Sequence, residues 1–216
     1  MSYLVPAYFR DVEGRSDWPF LEPVCRRLLE WLLRDARQPI EIQRPALAIG
    51  VGGREIGAQQ ALARQHSREF HIAFLHADGA GDPDRARRER IAPVAGVLPP
   101  DANARIVGVV PVHETEAWML CDGRALRDAL GTNLDDRRLE VPATPGEIEG
   151  LADPKARLEA ICTAARGGRR RRRRGGPPRA LLGELVSLEA LMCLPAFAFL
   201  ETELRKALCE LGFLPA

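Results

Sequence analysis

The sequence predicts an α/β fold: a mostly parallel sheet flanked by helices, with a helical region at the C-terminal end. Two observations carry this. Short apolar, β-branched runs alternate with segments of helical apolar spacing up to Leu130, the pattern of strands joined by helical crossovers. The clearest run, Ile106-Val107-Gly108-Val109-Val110-Pro111-Val112, is apolar throughout rather than at every second position, which suits a strand buried on both faces of a parallel sheet.

Tyr3 to Phe9 alternates loosely and reads as the first strand in spite of Pro6. A turn follows over Asp11-Val12-Glu13-Gly14-Arg15-Ser16-Asp17. Ser16 or Asp17 caps the next helix, with Pro19 in the first turn, where a missing N–H is harmless. Phe20, Leu21, Val24, Leu28, Trp31 and Leu32 then recur at helical spacing, and Pro39 ends the segment. Ala46 to Val51 is a second apolar run, stopped by Gly52-Gly53, and Glu55 to His66 is helical. His71 to His76 is the third strand, followed by a loop and a charged helix from Pro83 to Ala92.

After the Ile106–Val112 strand, Glu116 to Leu130 reads as a helix closed by Gly131. Thr132 to Gly150, rich in Pro, Gly and acids, reads as surface loop. Asp153 caps a helix that has Pro154 at its first position and runs to Arg166. An insert over 167–178 holds six consecutive arginines between glycines and prolines, a composition expected to be disordered. Two apolar helices, Arg179–Cys193 and Pro195–Leu211, finish the chain. The expected organisation is a core over residues 1–131, with 132–216 a loop and a helical region packed on it.

Composition narrows the class. The chain has 216 residues, enough for one sizeable core. No apolar stretch reaches the roughly 18 residues of a membrane span, and the start lacks the basic and apolar regions of a secretory signal. Five scattered cysteines include no CxxC pair. Reduced thiols and a cytoplasmic location are therefore expected, not a disulfide frame or a zinc knuckle. Six of the 31 basic residues form the Arg169–Arg174 run against 30 acids, so the remainder of the chain is net acidic and no basic nucleic-acid clamp. The run itself either tracks a phosphate backbone or is a low-complexity surface loop.

The chemistry sits at the ends of the strands. Glu13 and Gly14 follow the first strand, His76-Ala77-Asp78-Gly79-Ala80-Gly81-Asp82-Pro83-Asp84 the third, and His113-Glu114-Thr115-Glu116 the fourth. Side chains at the carboxyl ends of neighbouring strands converge on one crevice. Five or six carboxylates would then share a site, which is costly unless a divalent cation neutralises them. Asp78, directly after its strand, is the better ligand candidate, while Asp82 or Asp84 caps the following helix. Glu114 and Glu116 point the same way in an extended segment; if a helix starts at Thr115, Glu116 instead favours the helix dipole. His76 and His113 each end a strand and approach the same site. The acid spacing does not match an EF-hand, and Gly50-Val51-Gly52-Gly53 lacks the Lys-Ser/Thr of a phosphate loop.

The order strand–Glu13-Gly14–helix, strand–His76-Ala77-Asp78–helix, strand–Glu114-Thr115-Glu116-Ala117-Trp118-Met119-Leu120-Cys121-Asp122 resembles the bacterial domain-of-unknown-function family 4276, a TOPRIM-like group. The last segment is similar to that family's E-x-E-A-W-L-L-A-D. Asp153-Pro154-Lys155 with Leu158, and Leu194-Pro195-Ala196-Phe197 with Leu200, are similar too. The resemblance implies a TOPRIM/Rossmann-like sheet and a divalent-metal-dependent, nuclease-like protein that processes phosphodiesters with Mg2+ or Mn2+. It further implies a role in phage defence, with nucleic acid and a protein of the defence system as partners. Glu13 and Asp78 would be catalytic, and Glu13, Asp78, Asp82, Glu114, Glu116 and His76 the metal set. His76 stands where the family pattern has an acid. That departure favours manganese or another imidazole-tolerant metal, moves ligation to Asp82, or marks an inactive binding module that acts with a partner protein. A small-molecule phosphohydrolase is the remaining alternative.

Overall fold

The computed structural model describes residues 2–11, 17–51, 55–167 and 176–215. The N-terminal apolar run is two strands rather than one, β1 (Ser2–Leu4) and β2 (Pro6–Asp11). They part at Val5, whose N–H donates to His71 Nδ1 at 3.0 Å and whose carbonyl accepts from the His71 N–H at 2.9 Å. β1 pairs in parallel with β3 (Ile40–Ile42), a short strand that the sequence pattern does not announce. β2 joins the main sheet with β4 (Leu47–Val51), β5 (Ile72–His76) and β6 (Arg105–Val109), all parallel, in the order β4-β2-β5-β6. The expected α/β fold with a parallel sheet is what the chain adopts.

Alternate residues of each strand enter two separate cores, as the period of two requires. Tyr8, Ile72, Phe74, Val107 and Val109 face one side, against α1 (Trp18–Leu32) and the C-terminal helices. Ala7, Phe9, Ile49, Ala73 and Leu75 face the other. There they meet α2 (Ile56–His66) and the helical stretch α3 (Pro83–Ala86), a π-helical turn (Arg87–Ile91) and α4 (Ala92–Ala95). Both faces are thus covered, which explains why the strands are apolar without alternation.

The C-terminal half is more finely divided than the sequence pattern suggests. The expected Glu116–Leu130 helix is α5 (Glu116–Met119) and α6 (Gly123–Leu130), because the Asp122 carboxylate caps α6 by accepting from the Ala125 N–H at 3.0 Å. The expected loop over 132–150 contains α7 (Asp136–Leu139), capped by Asp135, and α8 (Pro145–Glu149), which carries a Thr144/Glu147 capping box. α9 (Pro154–Ala165) starts at its Asp153 cap as expected. The Arg179–Cys193 segment is α10 (Arg179–Leu185) and α11 (Leu188–Met192), the second capped by Ser187. The last helix is α12 (Pro195–Glu210). The Arg169–Arg174 run lies outside the described residues.

These helices are not an appendage. Trp118 is fully buried with its ring edge-on to Phe197 of α12 at 5.1 Å, and α10 packs directly on α1. A Cβ on Gly183 would sit under 3.0 Å from the Phe20 carbonyl oxygen, so α10 requires glycine there. Gly183→Ala is expected to cost about 2 kcal/mol, the usual toll of overpacking, read as a lower urea midpoint with an unchanged slope. Among the described residues, no helix is long and apolar enough to cross a membrane.

The strand order positions the site. β4 lies on one side of β2 and β5 on the other, and α1 and α2 accordingly cover opposite faces. The carboxyl ends of β2 and β5 are therefore the switch point of the sheet, the place where ligands bind in sheets of this kind.

Candidate metal centre

Asp17, His76 and Asp78 meet at this switch point. One ligand-type atom from each lies within 4.8 Å of the others. Asp17 follows β2, and His76 ends β5 with Asp78 two residues on. The carbonyl of Asp17 begins α1, accepting from the Phe20 and Leu21 N–H groups at 2.9 Å each, but its side chain does not cap the helix. The carboxylate turns into the site instead, where Arg179 Nη1 donates to Oδ1 at 2.5 Å. Beneath it, buried Trp18 is held by its indole N–H, which donates to the Phe9 carbonyl at 2.8 Å.

His76 Nε2 lies 3.4 Å from Asp78 Oδ1 and 3.1 Å from the hydroxyl of fully buried Thr115. The metal-ready form is the one in which Nε2–H donates to the threonine hydroxyl and Nδ1 carries the lone pair, because a nitrogen that accepts from the hydroxyl has no lone pair left for a cation. Two carboxylates and an imidazole are a donor set that a divalent cation can use.

Close backbone contact brings the loops after β5 and β6 together. The N–H groups of Ala77, Gly79 and Gly81 donate to the carbonyls of Val109, Pro111 and Val112 at 3.1, 3.1 and 2.8 Å. The Ile106–Val112 run thus leaves the regular ladder at Val109 yet keeps its direction along the β5 loop. Gly79 is needed because a Cβ there would fall under 3.0 Å from both the Pro111 and Val112 oxygens. Gly81 takes φ +88°, a left-handed conformation that favours glycine. The zipped loops carry Glu114, Thr115 and Glu116 towards the switch point.

Glu116 is almost completely buried and binds Arg179 Nη2 at 2.5 Å. Arg179 thus spans Asp17 and Glu116, closing the site from α10. Glu114 is half-buried, and its Oε2 is shut off from solvent with no hydrogen-bond partner among the described residues. Loss of hydration, then the neighbouring Glu116, Asp78 and Asp153 charges, push its carboxyl above the usual range, and Lys155 opposes them. A carboxyl raised in the folded state adds stability below its unfolded pKa and loses it as pH rises through the folded value. Glu114→Gln is therefore expected to raise the thermal midpoint slightly at pH 7 and to leave it unchanged near pH 4.

Asp82 is exposed and caps α3, accepting from the Arg85 N–H at 2.8 Å. Asp84 pairs with Arg87 at 2.7 Å. The His113 ring lies against Gly81. Glu13, the expected catalytic acid, lies outside the described residues. Asp17 and Arg179 are the two site residues that the sequence pattern does not single out. Asp17 looks like an ordinary helix cap, and Arg179 follows a proline pair with no local signal of its destination. Compared with family models, with curated proteins and with solved structures, the chain finds no match.

Proposed function

We propose that this chain is a divalent-metal-dependent, nuclease-like protein that processes phosphodiesters, with Asp17, His76 and Asp78 holding the cation. The observation that carries the reading is the meeting of these three side chains, from two strand ends, at the switch point of a parallel sheet. Their donor set fits a divalent cation, and Glu114, whose Oε2 has no hydrogen-bond partner among the described residues, is a neighbouring carboxylate of Asp78. A bound cation at such a site polarises a phosphate and lowers the pKa of a water molecule. The protein's own part is to hold His76 by the Thr115 hydroxyl and to keep the two loops fixed through Gly79. The resemblance to the TOPRIM-like family adds Glu13 as base or ligand, Glu116 and Asp82 as further ligands, and phage defence as the setting.

A second reading has its own support. Arg179 already pairs with both Asp17 and Glu116, as it would in a binding module that kept the fold without the chemistry and acts through a partner protein. Calorimetric titration separates the two. Mn2+ is expected to bind at least about tenfold more tightly than Mg2+, following the preference of an imidazole-containing site, and to support cleavage of plasmid or single-stranded DNA. Absence of any cation binding would leave only the binding module.

A further inference from the structure

We propose that Arg179 is the residue that positions an anionic phosphate oxygen at this site, and that without cation it fills the place of the positive charge. The inference rests on the metal reading above. Its basis is the unequal burial of the two acids that Arg179 joins. Glu116 has 7 % of its side chain exposed and Asp17 23 %, while Arg179 itself has 25 %. Glu116 is thus the fixed end of the pair and Asp17 the end nearer solvent. Both contacts are 2.5 Å long and use different nitrogens of one guanidinium, so one end can let go while the other holds.

With Asp17 committed to a cation, Nη1 of Arg179 is released and Nη2 stays on Glu116. The guanidinium then stands beside the cation with free donors in a planar fork, the geometry that matches two oxygens of a phosphate. Arginine is the appropriate side chain for this task because it stays charged whatever the pH and engages phosphate through paired donors. The same residue therefore opposes cation binding and favours phosphate binding, a combination that a purely structural ion pair would not show.

The test is titration of MnCl2, and then of inorganic phosphate or a short single-stranded oligonucleotide with Mn2+ present, into wild type, Arg179→Gln and Arg179→Lys. Arg179→Gln is expected to bind Mn2+ about tenfold more tightly, because the competing charge is gone, and to lose Mn2+-dependent binding of either anion. Loss of phosphate alone marks a free-phosphate or monoester site, and loss of the oligonucleotide marks a diester site; either supports the role. Arg179→Lys keeps the charge and is expected to leave Mn2+ affinity unchanged, with anion binding only partly restored.

Removing Arg179 strands the buried Glu116. The same comparison is therefore made between Glu116→Gln and the Glu116→Gln/Arg179→Gln double variant, which has no stranded charge. Wild type that binds Mn2+ beside an Arg179→Gln protein of equal or lower affinity overturns the inference and leaves the metal reading standing. No Mn2+ binding in any variant overturns both.

Discussion

On the proposed metal-dependent reading, Asp78→Ala is expected to lower the single-turnover cleavage rate in Mn2+ by about 10³-fold, or ~4 kcal/mol of transition-state stabilisation. Asp78 is only partly exposed and sits beside His76 Nε2 and Asp17, so its loss removes a carboxylate from the centre of the constellation. Mn2+ titration and plasmid cleavage on the same preparations check the result. An Asp78→Ala protein that retains wild-type cleavage sinks the site as drawn. Asp82→Ala gives the companion measurement. As a helix cap, Asp82 contributes about 1 kcal/mol of stability and nothing to Mn2+ affinity; as a ligand, its loss weakens Mn2+ binding.

Gly79→Ala is expected to cost about 3 kcal/mol and to disturb the site at the same time. The added methyl would meet two backbone carbonyl oxygens, and backbone cannot move aside as a flexible side chain can. The two oxygens belong to Pro111 and Val112, so relief requires the β5 and β6 loops to separate, breaking the Gly79-to-Pro111 and Gly81-to-Val112 hydrogen bonds. Overpacking in a tight site costs 1–3 kcal/mol and more when backbone must shift. Urea unfolding measures the loss, and Mn2+ affinity should fall with it, because Thr115 would no longer hold His76. A Gly79→Ala protein of wild-type stability would show that the loops are not zipped as described.

Much of this architecture is legible along the chain. β5 and β6 are short apolar runs, and each leads into a loop with acids. Asp153-Pro154 announces α9, and the paired glycines at 79 and 81 announce a close backbone approach. The capping box at Thr144 and Glu147 was equally local, yet the prolines and glycines around it read as loop. Val5 shows where a local pattern misleads. The alternation from Tyr3 to Phe9 continues through it, but its backbone is tied to His71, 66 residues away, and the strand divides there.

For this protein, then, the sequence alone determined what depends on neighbours in the chain: the runs that form β4, β5 and β6, the acids that follow the last two, and the Asp82 and Asp153 helix caps. Only the tertiary structure decided that β2 lies beside β5, that the carboxylate of Asp17 leaves its helix for the site, and that Arg179 arrives there. The Asp17–Arg179 pair spans 162 residues. Its formation depends on the packing of α10 against α1, where Gly183 allows close approach, and no local propensity encodes a contact of that range.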